Sequence, residues 1–496
     1  MSHGEADAGQ LTPRSTFYDQ GRFGRLFPSL PPFAADTLTI RQALTELGAP
    51  GGVMDPADDL SDPITLITDP AKSVHNPDNP TSTAGFTFLG QFLDHDMTFD
   101  PTSSLARRQD PESIRNFRIP ALDLDSVYGG GPGTSPYLYD QTVDGGRTTL
   151  LTESIPGSAA VSVDGSERVD VPRSSQLVAL TGDPRNDENL IVSQLHLAFV
   201  RFHNVVVTDV IADLGPGYTV EEIFAEAQRI VRWHYQWIVL HEFLPHTVGA
   251  AMTDDVLTNG PKFYTWRNDP YIPVEFSVAA YRFGHSQVRP SYRANFGTSA
   301  TDTAQQFFAL LLDPAATDPD DPADLRGGRR APRRFIDWQT FFDFEDGRVR
   351  RNKKIDTKLS SVLFTLLGQA PGTPTSLATR NLLRNLTMGV PSGQRVARAM
   401  SLPELAPGDL ADLTPFTLHK RTPLWFYVLR EADVTASGEH LGPVGGRIVA
   451  EVIVGLMTGD SESFLSQEPD WTPTYGNGGD FRVTDLLRTA GVVATL

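Results

Sequence analysis

Residues 90–100 read GQFLDHDMTFD and place a histidine between two aspartates inside an apolar run. The aromatic and aliphatic residues predict burial, yet three adjacent titratable groups are costly to bury unless each has a partner. If residues 90–99 are helical, each residue turns about 100° around the axis, so Asp94 and Asp96 lie about 200° apart. Gln91, Asp94 and His95 would then line one site, with Asp96 in a second site behind it. Taken alone, the motif also fits a partly exposed helix whose Asp and His side chains face water.

The composition is that of a large globular protein. Hydrophobic residues make up 40% of the 496-residue chain and charged residues 21%, which is enough apolar material for a sizeable core. A net charge of −19 argues against a general nucleic-acid binder, which needs a basic face. The lack of cysteine excludes disulfides, thiolate metal sites and a cysteine nucleophile.

The N-terminal stretch MSHGEADAGQLTPRSTF lacks a basic segment followed by an apolar one, so no classical signal peptide is predicted. No run of 18 or more apolar residues is found, so no membrane span is expected. We therefore expect a soluble protein that is cytoplasmic or exported without a classical signal peptide.

Hydrophobic periodicity favours a mainly α fold with few short strands and many ordered loops. The strongest helical pattern runs from Val192 to Leu244, broken by GPG at 215–217 and restarted by a capping-box match, TVEE, at 219–222. Shorter helices are predicted at 380–386, 396–400 and 447–457, and the best strand pattern lies at 157–171. Residues 1–20 are predicted to be a flexible tail.

The segment 313–334 changes from acidic to basic without a periodic apolar face. We interpret it as a solvated surface loop whose charges partly cancel. A nucleic-acid-binding patch is the alternative, and the acidity of the whole chain weighs against it.

Carboxylates alternate along ALDLDS (121–126), where Asp123 and Asp125 are two residues apart. Such carboxylates on a tight loop suit a hard cation with oxygen ligands, namely Ca²⁺. They also offer a partner site to a buried Asp96. The spacing is not that of an EF-hand, and an Asx-rich turn is the alternative.

Two further segments carry candidate functional groups. GDPRNDEN (182–189) contains Arg185 and Glu188 just before the long helix, although an acidic residue there is also favoured by the helix dipole. YRFGHSQVRP (281–290) places His285 after a glycine, among aromatics and arginines. That histidine could be a metal ligand or a packed core residue.

Together these segments resemble the animal-type haem peroxidases of the peroxidase–cyclooxygenase superfamily. The similarity rests on five blocks in the family's order: GQFLDHDMTFD, ALDLDSVYGG, GDPRNDE…LHLAFVRFHN, RFGH and LATRNLLR. They span roughly residues 85–400. The resemblance implies a large, mainly α single domain over residues 21–496. The chain is similar to the bacterial, myeloperoxidase-like members, since it lacks cysteines and a long N-terminal extension.

The resemblance implies a role for each matching residue. His95 matches the distal acid–base histidine, Gln91 the distal glutamine that holds water or a halide, and Arg185 the distal arginine. His285 matches the proximal ligand of the haem iron. Asn381 matches the asparagine that accepts a hydrogen bond from that histidine.

The resemblance also implies how the cofactors attach. Asp94 and Glu188 match the two carboxylates that become ester-linked to haem b. The calcium ligands that match the family are three side chains and two backbone carbonyls: Asp96, Asp123, Asp125, Ile119 and Ala121.

Three positions depart from the family pattern. Ile119 stands in place of a threonine, so only its carbonyl could bind calcium, while Asp125 replaces a serine and adds charge. Asn189 stands in place of the methionine that forms a sulfonium link in myeloperoxidase. We therefore expect bromide and iodide to be better donors than chloride.

The predicted function is the reduction of hydrogen peroxide, with halides, thiocyanate or phenolic donors as reductants, in a bacterial response to oxidative stress. A fatty-acid dioxygenase of the same superfamily is an alternative, although Arg282 occupies the position of the radical-forming tyrosine. A non-catalytic calcium-stabilised binding or adhesion module is another, although His95, Arg185 and His285 are all present. A non-haem metal site is a weaker idea, because amphipathic helices also account for its histidines: His196, His203, His234, His241 and His246.

Overall fold

The computed structural model describes residues 23–142, 147–215, 217–267, 269–316 and 318–496. Within them, ten α-helices of seven residues or more form the framework. They are α1 (Leu38–Leu47), α2 (Ala84–Met97), α3 (Leu190–Leu214), α4 (Val220–Ile238), α5 (Ala250–Asn259), α6 (Leu377–Thr387), α7 (Gly393–Ala399), α8 (Leu424–Ala436), α9 (Pro443–Gly459) and α10 (Val483–Thr489). The predicted tail, residues 1–20, lies outside the described residues.

The strands are short and pair only in twos. They are β1 (Phe23–Gly24), β2 (Asp78–Thr83), β3 (Glu153–Ser154), β4 (Val169–Asp170), β5 (Ile272–Pro273), β6 (Ser291–Asn295), β7 (Phe307–Leu310) and β8 (Arg351–Lys353). β1 pairs with β5 in parallel, and β2–β8, β3–β4 and β6–β7 are antiparallel. The predicted mainly helical fold with few short strands is confirmed.

The core joins α2, α3 and α4 through aromatic rings. Phe92 of α2 stacks on Phe199 of α3 with ring centroids 4.8 Å apart. Tyr235 of α4 meets both rings edge-on, at 6.2 and 5.5 Å. Offset-stacked and edge-to-face rings are favoured arrangements, so this cluster holds α2 firmly against the long helix.

The break between α3 and α4 follows the sequence signals. α3 ends at Leu214, and Thr219 and Glu222 form the predicted capping box at the start of α4. After Ile238 one π-turn, Val239–Phe243, leads into the short helix Leu244–Val248. The prediction of helix up to Leu244 is therefore confirmed, with a wider turn near its end.

Within the described residues, α3 is the one helix long and apolar enough to cross a membrane by length and composition. Polar residues such as Arg201 and Asp209 interrupt it, so it is not an unbroken apolar run. In its most apolar window, 83% of the residues are buried inside the protein. That burial accounts for its apolar character as that of a core helix.

The strand predicted at 157–171 is mostly wrong. Ser158–Val161 is a 3₁₀ turn, and only Val169–Asp170 forms a strand. The Ser158 hydroxyl donates to the Ile155 carbonyl (2.7 Å), and Asp164 accepts the Ser166 amide (3.0 Å). Such local side-chain bonds compete with strand pairing.

The segment 313–334 has no regular element in its described part, but it is not simply solvated. Asp324 and Arg334 are fully buried, and Arg334 donates to the carbonyls of Pro322 and Asp324 at 2.8 and 2.7 Å. The expectation of a solvated loop is thus corrected, because guanidinium–carbonyl bonds let the charges be buried. The segment also reaches the start of α3, where the Leu190 amide donates to the Leu325 carbonyl (2.9 Å).

Gly327 packs tightly against the segment before α3. Its amide donates to the Glu188 carbonyl (3.0 Å), and a Cβ there would lie 1.4 Å from the Asp187 carbonyl oxygen. We expect Gly327→Ala to destabilise the fold by about 1–3 kcal/mol or more, because one backbone must move away from the other. Thermal denaturation measures this. Gly408→Ala is the control, since its Cβ would meet nothing within 4 Å; equal melting temperatures of the two variants would contradict the prediction.

Candidate active site

Helix α2 directs its polar side chains to different neighbours. The His95 ring lies against Asn186, and Asp94 lies beside Thr98 and Arg282. Asp96 is fully buried against the loop that contains Leu124 and Ser126. The helix ends at Met97 rather than continuing to Phe99 as assumed. Thr98 is extended (φ −136°, ψ 138°), and its hydroxyl donates to the Asp94 carbonyl (3.0 Å).

Three side chains from α2 and the turn before α3 converge. His95 is 3% exposed, and its Nε2 lies 3.6 Å from Glu188 Oε1. Gln91 Nε2 donates to the same Glu188 oxygen. Asn189 Nδ2 donates to Gln91 Oε1 (3.0 Å), while its Oδ1 accepts the Val192 amide (2.9 Å) and caps α3. Gln91, His95 and Glu188 therefore share one site, and Asn189 orients the glutamine.

Arg185 is held by Asp183 and by main-chain oxygens. Its Nε and Nη2 lie 3.1 and 2.8 Å from the two Asp183 oxygens, and Nη2 also donates to the His95 carbonyl (3.1 Å). Burial alone would raise the pKa of Asp183, but Arg185 and Arg118 lower it to about 2. The guanidinium also stacks on Phe99, 4.7 Å from the ring centroid. These contacts fix the arginine beside the backbone of His95.

His285 lies in the short helix Gly284–Gln287, which packs against α2. Its Nδ1 is 2.7 Å from Asn381 Nδ2 on α6. Burial and the nearby Arg282 lower the pKa of His285 to about 3, so its imidazole is neutral at pH 7. For Nε2 to bind a metal, Nδ1 must carry the proton, and Asn381 must then present its oxygen after a half-turn of the amide.

Three arginines line a cavity of about 150 Å³ next to this region. They are Arg185, Arg282 and Arg384, and Phe99 forms part of the wall. Arg282 Nη2 lies 3.9 Å from Asp94 Oδ2. Burial and the neighbouring Arg282 lower the pKa of Arg384 to about 10, which leaves it charged at pH 7. Such a cavity suits carboxylate groups of a ligand.

The roles of Arg282 and Arg384 in that cavity were missed from the sequence. A usable signal existed, since Arg282 is three residues before His285 and Arg384 three after Asn381. On α6, residues three apart share a face. Arg384 therefore lies on the same side of its helix as Asn381.

The acidic residues Asp96, Asp123 and Asp125 form a compact cluster. Each offers a carboxylate oxygen within 4.8 Å of the others. Asp96 accepts hydrogen bonds from the Leu124 amide (3.1 Å) and from the amide and hydroxyl of Ser126 (3.3 and 3.0 Å). Burial and Asp96 raise the pKa of Asp123 to about 6. Burial, together with Asp123, raises the pKa of Asp125 well above its usual value.

The loop around this cluster is strained, and one oxygen lacks a hydrogen bond. Leu122 and Leu124 adopt φ values of 49° and 64°, which non-glycine residues hold only when surrounding structure enforces them. Among the described residues, none donates a hydrogen bond to the buried Asp125 Oδ1, although Arg118 Nη1 lies 3.4 Å away. The three carboxylates could hold a metal ion. The Ile119 carbonyl accepts the Ala121 amide (2.9 Å), and the use of either carbonyl as a ligand stays a prediction.

The alternative of a non-haem histidine site gains no support. His203 Nε2 lies 2.7 Å from the Thr148 carbonyl and its Nδ1 3.1 Å from the Tyr128 hydroxyl. His234 Nδ1 contacts the Ile230 carbonyl (2.7 Å), and its Nε2 accepts two backbone amides. Both rings therefore serve as packing and hydrogen-bonding groups within the fold.

The chain matches one protein family and several known proteins in sequence. Residues 106–414 match the family model described as animal haem peroxidase. A peroxidase-like protein of Margaritifera margaritifera is 42% identical over 112 residues, which are 22% of this chain and 14% of that protein. Eosinophil peroxidase of Mus musculus is 29% identical over 174 residues, 34% of this chain and 23% of that protein. The aligned segments thus span less than a quarter of either relative.

Solved structures extend the likeness to almost the whole chain. Peroxidase A from Dictyostelium discoideum superimposes with a TM-score of 0.58 at 18% identity, covering 96% of this chain and 94% of that one. Fatty acid alpha-dioxygenase from Arabidopsis thaliana gives a TM-score of 0.56 at 14% identity, covering 95% of this chain and 77% of that one. At such identities the shared property is the fold.

The family match includes Arg185, Glu188, His285 and Asn381 but begins after α2, which carries His95. The position of His95 beside the matched region is supplied by the structure, through its contacts with Asn186 and Glu188. Because the family model matches residues 106–414, which are more than half of the chain, the chain belongs to the animal haem peroxidase family.

Proposed function

We propose that this chain is a haem-dependent peroxidase that reduces hydrogen peroxide and oxidises small anionic or phenolic donors. One observation carries the proposal: two histidines on neighbouring segments each meet an asparagine through Nδ1. His95 contacts Asn186 at 2.8 Å and His285 contacts Asn381 at 2.7 Å. Their segments are joined where the Tyr281 hydroxyl donates to the Gly90 carbonyl (3.1 Å). This arrangement suits one histidine that binds iron and another that moves protons.

The residues present fit haem b. His285 is a neutral imidazole, the form that binds iron. Arg185, Arg282 and Arg384 would take the two carboxylates of the porphyrin in the arginine-lined cavity. When bound, haem would supply the iron that binds peroxide and takes up its oxidising equivalents.

The chain's own contribution to the reaction is proton transfer and orientation. His95 Nε2 would accept a proton from one oxygen of hydrogen peroxide and return it to the other oxygen, which leaves as water. General acid–base catalysis of this kind is typically worth about 10²–10⁴-fold. Gln91, held by Asn189 and Glu188, would orient water or a halide beside His95. Arg185 would favour the developing negative charge from its fixed position.

The donors we propose are bromide, iodide, thiocyanate and phenols, in preference to chloride. Asn189 caps α3 and orients Gln91, and an asparagine cannot form the sulfonium link implied for a methionine at this position. Consumption of peroxide would suit a response to oxidative stress in a bacterium.

The decisive experiment is an absorption spectrum of the chain reconstituted with haem, followed by steady-state rates of peroxide reduction with each donor. We expect a Soret band and turnover with bromide, iodide, thiocyanate or a phenol. Failure to bind haem would instead support the calcium-stabilised binding module.

A fatty-acid dioxygenase is the second candidate, favoured by the fold shared with the plant dioxygenases. Arg282 faces Asp94 at the position expected for a radical-forming tyrosine. Tyr281 is instead buried in contact with Phe276, at a centroid distance of 4.7 Å. Oxygen uptake with a fatty acid, in the absence of peroxide turnover, would favour this candidate.

Covalent haem attachment through Asp94 and Glu188 has a direct test. We expect acid–acetone to extract little haem from the unsubstituted chain after peroxide treatment, because ester bonds survive the solvent. The double variant Asp94→Asn, Glu188→Gln should release nearly all of it. Glu221→Gln, at an exposed position on α4, is the control and should retain its haem. Complete extraction from the unsubstituted chain would refute the esters.

A further inference from the structure

We propose that Asn186 is a positioning residue that fixes the proton of His95 on Nδ1 and leaves Nε2 free to accept one. Nothing in the family resemblance assigned a role to this asparagine. The catalytic meaning of the inference rests on the proposed function, whereas its structural content does not.

The orientation of the Asn186 amide follows from its surroundings. Nδ2 lies 3.4 Å from the Ser126 carbonyl oxygen. A carbonyl only accepts hydrogen bonds, so the nitrogen end of the amide must face Ser126. Oδ1 then faces His95 Nδ1 at 2.8 Å. Because an amide oxygen also only accepts, His95 must donate from Nδ1, and in the neutral imidazole the lone pair then resides on Nε2.

A second histidine lies at the nitrogen end of the same amide. Asn186 Nδ2 lies 3.0 Å from His196 Nδ1 on α3. Burial lowers the pKa of His196 to about 4, so its ring is neutral at pH 7. With Nδ1 accepting from the amide, the His196 proton must sit on Nε2. The two histidines are thus in opposite tautomers, one on each end of the same amide.

The asparagine cannot easily turn, because the surrounding loops hold it. Asn186 is fully buried, and its backbone amide donates to the Asp183 carbonyl (3.1 Å). Ser126 is fixed in turn by Asp96, which accepts from its amide and hydroxyl. A Cβ at Gly182 would lie 2.6 Å from the Asp125 and Ser126 carbonyl oxygens. Only glycine therefore lets this segment approach the acidic loop so closely.

These contacts give the acidic cluster a second connection to His95. The first is the peptide bond between His95 and Asp96. The second runs from Asp96 through Ser126 to the Asn186 amide and then to the His95 ring. These contacts hold the ring in place, with Nε2 3.6 Å from Glu188 Oε1. They also favour the tautomer that carries its proton on Nδ1.

The test reads the tautomers directly in the full-length chain without haem. Two-bond ¹H–¹⁵N spectra of histidine-labelled protein at pH 7 distinguish protonated from bare ring nitrogens. His95→Gln and His196→Gln identify the two signals. We expect His95 protonated on Nδ1 and His196 on Nε2. A His95 ring protonated on Nε2 would overturn the proposal.

Two substitutions separate the amide's role from loss of folding. Asn186→Leu should abolish the single His95 tautomer, and an unchanged His95 signal would overturn the proposal. Asn186→Asp keeps the shape but accepts at both ends, so His95 should stay unchanged while His196 moves its proton to Nδ1. Asn295→Leu is the matched control: Asn295 is buried, but its amide binds the Arg333 and Phe335 carbonyls (2.8 and 3.0 Å). Altered tautomers in that control would also count against Asn186.

With haem bound, Asn186→Leu should slow the reaction with peroxide about 10-fold or more. The KM for the electron donor should stay the same, and Asn186→Asp should restore most of the rate. A chain with the expected tautomers but no Soret band would refute the haem proposal alone. A chain that turns over peroxide with the wrong His95 tautomer would refute the role of Asn186 alone.

Discussion

His285→Ala should abolish the Soret band of the haem-reconstituted chain. The unsubstituted side chain is neutral at pH 7, because burial and Arg282 lower the pKa of His285 to about 3. Alanine removes the only imidazole of the segment Gly284–Gln287. The change also leaves the Asn381 amide without its 2.7 Å partner. An unpaired buried group of this kind costs about 1–3 kcal/mol of folding stability.

The measurement is a titration of each variant with haem, followed by absorbance and by melting temperature. His75→Ala is the matched control, because His75 is exposed on the surface and should bind haem like the unsubstituted chain. Added imidazole should restore part of the Soret band to His285→Ala by filling the vacated space. An unchanged spectrum in His285→Ala would show that another residue binds the iron.

The different directions of the polar side chains on α2 were predictable, because they depend only on the local helical period. A helical period of 3.6 residues separates Asp94, His95 and Asp96 into three directions, and the structure has them facing Thr98, Asn186 and Ser126. The end of the helix was less predictable. The backbone of Thr98 is extended, and its hydroxyl donates a hydrogen bond to the Asp94 carbonyl. A threonine in the sequence does not by itself predict this helix end.

Features that depend on contacts between distant segments could not be inferred from periodicity. The arginine-lined cavity collects Arg185, Arg282 and Arg384 from three parts of the chain. Asn186 lies inside the segment GDPRNDEN (182–189), yet its partners Ser126 and His95 are 60 and 91 residues away in the sequence. Burial of Asp324 and Arg334 was missed for the same reason, since a charged segment without a periodic apolar face is typical of a solvated surface.

The second large effect should come from calcium. We expect added Ca²⁺ to raise the melting temperature of the chain and a chelator to lower it, because the cation neutralises Asp96, Asp123 and Asp125, whose oxygens lie within 4.8 Å of one another. A ligand that binds only the folded state adds about 2.7 kcal/mol of stability at a concentration of 100 times its Kd. Chelation should also make the position of His95 less fixed, because His95 is the neighbour of Asp96 in the sequence. The rate of peroxide turnover should therefore fall.

The stability that Ca²⁺ adds should depend on pH. Without a cation, burial and Asp96 raise the pKa of Asp123 to about 6 from the usual 3.8. The folded state then binds more protons than the unfolded state between these values, so the stability of the chelated chain should fall as pH rises from about 4 to about 6. Bound Ca²⁺ favours the ionised carboxylates, and its stabilising effect should therefore grow over the same interval. Melting temperatures with Ca²⁺ and with chelator across this range measure the difference.

Asp123→Asn should weaken the response to Ca²⁺ while preserving the size of the side chain. The matched control is Asp254→Asn, which removes the same charge from an exposed position on α5 and should leave the response intact. Because both variants change the net charge equally, a difference between them isolates the contribution of the cluster from that of overall charge. Equal calcium responses in the two variants, or a melting temperature that Ca²⁺ leaves unchanged in the unsubstituted chain, would mean that the three aspartates share protons rather than a cation.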